Sequence, residues 1–310
     1  MAKNRYGVWS VTLGPAEPDI YAYIFVVDGL ETIDPANSWL KVWRRTAKNL
    51  VEIHGAEPMF FQEQKVAHGT VHMHRYASKS LGVTRGLYVY TPPGYEARRN
   101  VRHPILYLLH GSGDSEDTWT VVGRANVIVD NLLAKNIAKP LIIVMPYGHT
   151  PSAPSDSLSL GDYRTFEKDL LEDVIPYIQR CYRVSGDRND RAIAGLSMGG
   201  GQALTVGLGH LELFAWVGAF SSAVPKGRKL DSLLAKVKVT NDDLNLLWIA
   251  CGKKDFLFEA NQKLIERLKV DNIRHVARIT GGGHEWQLWR RYLNEFVPLL
   301  FTSDKYRSGT

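Results

Sequence analysis

The residues best equipped for chemistry lie in Ala192-Ile193-Ala194-Gly195-Leu196-Ser197-Met198-Gly199-Gly200-Gly201. Ser197 stands between Gly195 and Gly199, after a short apolar run and before Gln202-Ala203-Leu204-Thr205, which opens a helix. A serine that attacks a carbonyl must project from a sharp strand-to-helix turn. Small neighbours let the backbone take that strained turn and let strand and helix approach. The helix N-terminus behind it adds positive potential where an oxyanion forms. The chemistry on offer is nucleophilic acyl transfer.

A serine hydroxyl is a poor nucleophile without a base, and the base needs an orienting carboxylate. The chain order serine, carboxylate, histidine is that of the α/β-hydrolases. Asp255 follows the apolar run Leu246–Cys251 through Gly252-Lys253-Lys254, a position that suits the carboxylate. Its competing role is to cap the helix expected over 260–270. Asp242 and Asp243 precede the run and Asp271 ends a helix, so Asp255 is preferred. The base is His284, in Gly281-Gly282-Gly283-His284-Glu285-Trp286, after a strand and just before the last helix. His275, inside the preceding strand pattern, and His210, at a helix end, are worse placed.

The oxyanion needs two backbone N–H groups. Met198 supplies one, and Ser112, in Leu109-His110-Gly111-Ser112-Gly113-Asp114, supplies the other. Trp119, Tyr147 and Trp286, with Trp289, lie beside these loops. Aromatic walls suit an aromatic acyl group or a sugar ring, and the same side chains would serve equally as core. No metal is expected. His284-Glu285 opens like a zinc-binding H-E-x-x-H, but Leu288 holds the fifth position. His72 and His74 share a strand face with no third ligand near in sequence.

These residues need a scaffold, and the pattern from about residue 60 supplies one. Strands are expected at Gly69–Tyr76 and Thr84–Tyr90, and buried strands at the apolar runs 105–109, 141–145, 192–194 and 246–250. Runs without alternation suit a parallel sheet covered on both faces. Helices are expected over 125–136, 164–181, 199–207, 260–270 and 284–301. The stretch 164–181 carries Phe166, Leu170, Leu171, Val174, Ile175 and Ile178 as one stripe. Strand alternating with helix gives an α/β class with a mostly parallel central sheet flanked by helices. Residues 6–55 differ. The runs 8–12 and 20–27 are β-branched and aromatic, and Gly14-Pro15, Asp28-Gly29 and Asp34-Pro35 punctuate them as in a small β sandwich. The expected division is 1–57 as a partial all-β segment and 58–310 as the α/β domain.

The chain has 310 residues and a net charge of +6. Its basic residues are scattered; the densest group is Lys41-Val42-Trp43-Arg44-Arg45, so a nucleic-acid footprint is not expected. No apolar run reaches the roughly 18 residues that would span a membrane. The first residues lack the apolar stretch of a signal peptide, which predicts no export signal in them. Two cysteines, Cys181 and Cys251, are too few for a disulfide framework, and they leave the compartment open.

Tyr90-Thr91-Pro92-Pro93-Gly94-Tyr95, Leu106-Tyr107-Leu108-Leu109-His110-Gly111, Gly195-Leu196-Ser197-Met198-Gly199-Gly200 and Gly282-Gly283-His284-Glu285-Trp286 resemble carbohydrate esterase family 1. These are the esterase-D-like α/β-hydrolases, including feruloyl and acetylxylan esterases, and the likeness covers roughly residues 60–302. It implies Ser197, Asp255 and His284 as a catalytic triad, with the amides of Ser112 and Met198 as oxyanion hole and no cofactor. Tyr23-Ile24-Phe25-Val26-Val27-Asp28-Gly29 and Asp34-Pro35-Ala36-Asn37 resemble the second half of a family 48 carbohydrate-binding module, an early-set immunoglobulin-like sandwich. The opening strands of such a module are missing before Gly7. That leaves an open sheet edge, which favours packing on the larger domain or pairing with another protomer. The expected activity is hydrolysis of feruloyl or acetyl esters of hemicellulose. Alternatives are a siderophore esterase of the enterochelin-esterase kind, acyl transfer to an alcohol as in mycolyltransferases, and a catalytically idle glycan-binding protein.

Overall fold

The computed structural model describes residues 1–43, 46–151, 163–239 and 241–302. Arg44 and Arg45 of the basic group lie outside these residues, as do 303–310 at the end of the expected second domain. Seven short strands come first among the described residues: β1 (Ala2–Lys3), β2 (Trp9–Ser10), β3 (Asp19–Tyr23), β4 (Phe25–Val27), β5 (Leu30–Thr32), β6 (Leu40–Val42) and β7 (Ala47–Ile53). β7 pairs antiparallel with β3 and β6, while β1–β2 and β4–β5 are two-stranded ribbons. The expected strands are thus shorter, and the run 20–27 is broken at Ile24.

The main sheet consists of β8 (Thr70–Ser78), β9 (Val83–Thr91), β10 (Ile105–Leu109), β11 (Ile142–Pro146), β12 (Arg191–Leu196), β13 (Trp216–Phe220), β14 (Leu246–Gly252) and β15 (Val276–Thr280). Its order is β15-β14-β13-β12-β10-β11-β9-β8. β10 to β15 run parallel, and β9 and β8 are antiparallel additions at one edge. β10, β11 and β12 are buried along their whole length, which is why their sequences are apolar without alternation.

Helices cover both faces: α1 (Thr118–Val121), α2 (Ala125–Ala134), α3 (Arg164–Asp169), α4 (Ile175–Cys181), α5 (Met198–Gly209), α6 (Gly227–Val239), α7 (Phe258–Val270) and α8 (Trp286–Phe296). α3 to α7 pack on one core and α1, α2 and α8 on the other. β13 and α6 extend the sequence reading. Between α3 and α4 the expected single helix carries a π turn, Leu170–Val174.

The N-terminal strands lie against the second core, to which Ile20 and Leu50 contribute. Arg290 of α8 is fully buried there; it donates to the Val122 carbonyl at 2.9 Å, to the Ile20 carbonyl at 3.2 Å and to the Asp19 carboxylate. A buried guanidinium needs a counter-charge, and β3 brings it in Asp19, while Nε has no hydrogen-bond partner among the described residues.

After β10 the chain moves outward to β11, then returns to the other side of β10 for β12. That reversal opens a crevice at the carboxyl ends of β10 and β12, where open α/β sheets bind ligands.

Candidate active site

Ser197 occupies that crevice, between the end of β12 and the start of α5, with φ 53° and ψ −115°. This conformation is costly for a residue with a Cβ and persists only where the surroundings impose it. Its amide donates to the Phe220 carbonyl at 2.9 Å, and its carbonyl accepts from Ala223 and Gly201. The flanking glycines permit the turn by close approach: a Cβ on Gly195 would lie 2.4 Å from the Gly199 carbonyl oxygen, and one on Gly199 would lie 2.5 Å from that of His110. Met198 opens α5, whose first-turn N–H groups have no acceptor within the helix.

Two strands along the same edge, Asp255 and His284 meet directly. Asp255 Oδ2 lies 2.9 Å and Oδ1 3.0 Å from His284 Nδ1. Asp255 Oδ1 also accepts from the Leu257 amide at 2.8 Å, just before α7 begins, and α7 itself carries no side-chain cap. Burial alone would raise this carboxyl. The His284 bond, the Leu257 amide and the neighbouring Ser221 outweigh it and hold Asp255 below the usual carboxylate range. Phe256 lies over the imidazole at 4.4 Å between centroids, and Trp289 meets it edge-on at 4.8 Å. Beneath lies the buried free thiol of Cys251, pushed up to about 12 by burial and by Asp255.

Among the described residues the Ser197 hydroxyl forms no hydrogen bond to His284. The two side chains share surroundings instead. A Cβ on Gly111 would lie 3.4 Å from Ser197 Cβ and 3.5 Å from Asp114 Oδ2, and Asp114 in turn feels the charge of His284. Contacts of this kind commonly tighten only once substrate is bound.

The loop after β10 is fixed by two histidines that sequence reasoning did not single out. His110 Nε2 accepts from the Gly148 amide at 2.8 Å, so Nδ1 carries the proton and donates to the Gly111 carbonyl at 2.8 Å. The Asp114 amide also reaches that carbonyl, at 3.3 Å. In a trans peptide, holding the Gly111 carbonyl points the Ser112 N–H the opposite way. His149 Nε2 accepts from the Gly113 amide at 3.1 Å. Burial, reinforced by His149, drives His110 down to about 3, so it works as a neutral hydrogen-bonding strut. The signal for His110 was its place in the loop; for His149 there was none.

Trp119 is 1% exposed, donates its indole N–H to the Leu109 carbonyl at 3.0 Å and packs edge-on against Trp286 at 5.1 Å. It supports the loop from inside the core, which corrects the expectation of an open aromatic wall at that position. Trp286 is buried beside it. Tyr147 is partly exposed, forms a cluster of tilted rings with His110 and His149 at centroid distances of 5.7 and 5.4 Å, and lines an open cleft of about 440 Å³ with Arg85, Glu116 and Pro151. His72 bonds Thr91, and His74 bonds Tyr177 and Tyr182. Among the described residues no group of three or more His, Cys, Asp or Glu is arranged to hold a metal ion, and no helix is long and apolar enough to cross a membrane.

Residues 78–300 match the family model described as "Putative esterase". Over 97% of its length the chain is 31% identical to an endo-1,4-beta-xylanase/feruloyl esterase of Xylanibacter ruminicola, of which it spans 41%. It is 27% identical to an acetyl esterase of Caldicellulosiruptor saccharolyticus over 64% of this chain and 84% of that one. A CE1 ferulic acid esterase of Anaeromyces mucronatus superposes with a TM-score of 0.68 at 25% identity, over 78% of this chain and 94% of that one.

Proposed function

This chain belongs to the esterase family whose model its residues 78–300 match, and on that premise we propose that it is a serine hydrolase acting on feruloyl or acetyl esters of hemicellulose. The observation that carries the site is the Asp255–His284 bond, made on the same sheet edge as the strained Ser197. Ser197 Oγ attacks the ester carbonyl while His284 Nε2 takes its proton. Asp255, on Nδ1, orients the ring and supports the imidazolium. The N–H groups of Ser112 and Met198 receive the oxyanion. Collapse of the tetrahedral intermediate breaks the ester C–O bond, and His284 returns the proton to the leaving alcohol. Water, deprotonated by His284, then hydrolyses the acyl-enzyme and frees Ser197.

The acyl choice rests on the feruloyl and acetyl esterases among the relatives and on Tyr147 beside an open cleft, a surface suited to a phenolic ring. The test is covalent labelling by a fluorophosphonate with a panel of feruloyl, acetyl and trilactone esters, with and without an acceptor alcohol. Ser197→Ala is expected to abolish labelling. Ser197→Ala and His284→Ala should each lower kcat by several orders of magnitude, and Asp255→Ala by less. Equal, mild losses at all three positions would reject the assignment. The exposed Val26, Val27 and Leu30 of the β4–β5 ribbon support pairing with a second copy, which sedimentation would test.

A further inference from the structure

The N-terminal strands reach the catalytic crevice. Lys41, in β6, places Nζ 3.2 Å from Asp114 Oδ1, and the Asp114 side chain is only 4% exposed. The same ammonium lies 5.7 Å from the centroid of the Trp286 ring. Two residues on, Trp43 donates its indole N–H to the Ser112 carbonyl at 3.3 Å. Its ring lies so close over Gly113 that a Cβ there would come within 1.9 Å of Nε1; Gly113, at φ 86°, is the residue that tolerates both. Trp39 anchors the strap from the other side, donating to the Val121 carbonyl at 3.2 Å. The loop that presents the Ser112 amide is therefore gripped by the hydrolase's own histidines on one flank and by β6 and Trp43 on the other.

We propose that Lys41 and Trp43 are positioning residues of the esterase site, holding the Gly111–Asp114 loop in place and balancing the buried Asp114 carboxyl within it. The proposal rests on the serine-esterase reading of that site. The charged groups around the imidazole come from several elements: Asp255 after β14, Asp114 after β10, and Lys41 of β6 acting through Asp114. Asp117 adds negative charge near Asp114, and Glu285 is engaged by the Gly283 amide at 2.9 Å. Burial raises the Asp114 carboxyl and the Lys41 ammonium works against that rise, so removing Lys41 leaves a buried carboxyl in this loop without its counter-charge.

The signature is a loss confined to kcat for one ester. Lys41→Met, which leaves the buried Asp114 carboxyl without its partner, lowers kcat about tenfold with KM little changed. Adding Asp114→Asn recovers much of that loss, and Lys41→Arg behaves like the parent. Trp43→Ala lowers kcat about tenfold with KM little changed, as expected when one oxyanion donor is loosened. Each variant is compared on protein that melts cooperatively. If Lys41→Met does not fold, Trp43→Ala and Lys41→Arg still decide. A kcat that stays at the parent's value in these loosened variants, or a loss carried by KM instead, overturns the proposal, provided that Ser197→Ala is inactive in the same assay. Persisting activity in Ser197→Ala would overturn the reading of the site instead.

Discussion

A serine held at φ 53° stays there because every escape is occupied: its amide and carbonyl are both bonded, and the flanking glycines touch backbone on either side. The same economy governs Ser112. Its side chain has no assigned part in the proposed mechanism, while its amide is aimed by the Gly111 carbonyl. Ser112→Ala is therefore expected to leave kcat within a few-fold of the parent. Ser112→Pro, which has no N–H, should cost on the order of 10²–10³ in kcat. A dead Ser112→Ala would show that the hydroxyl, and not the amide, is used. The residues legible in the sequence were those whose neighbours announce them: Ser197 by its glycines, Asp255 by a preceding strand, His284 by a glycine run before a helix. Lys41, Trp43 and His149 were not legible, since each reaches the site from a remote segment and only the fold supplies the distance.

At the level of elements, buried strands were readable as continuous apolar runs. β13 escaped because Gly218 and Ala219 dilute it; Gly218 is small to admit Phe296, whose ring would lie 2.8 Å from a Cβ there. α6 went unread as well, although Leu230, Leu233, Leu234 and Val237 repeat at helical spacing among lysines. The joint between α8 and β3 was not readable. Nothing in either segment says that Arg290 and Asp19 will meet out of water. Arg290→Met would leave the Asp19 carboxylate in the core with the Ile20 amide at 2.8 Å and, as a charged partner, Arg291 Nη2 at 3.7 Å. The expected loss is about 3–5 kcal/mol, measured by urea unfolding, with much of it recovered by adding Asp19→Asn. A double variant no better than Arg290→Met alone would mean that the loss is one of packing and not of charge.

For the whole molecule, acid sensitivity follows from a histidine kept neutral. His110 takes up a proton only near pH 3 in the fold, against an ordinary value of 6.5 once the chain is unfolded. Between those limits unfolding takes up a proton, so stability falls as pH falls, by about 1.4 kcal/mol per unit from this group. His110→Gln should flatten the decline between pH 7 and 5 in urea titrations; parallel slopes would assign the acid sensitivity elsewhere. Cys251 offers a readout of a different kind. Its thiol sits under the Asp255–His284 pair, sealed from solvent and far from its ionised form, while Cys181 stands in the open. An alkylating reagent will mark the surface sulfur at once and the inner one only when the molecule comes apart around the catalytic edge. The protein thus carries its own clock for how often that edge opens, calibrated by a second sulfur in the same chain.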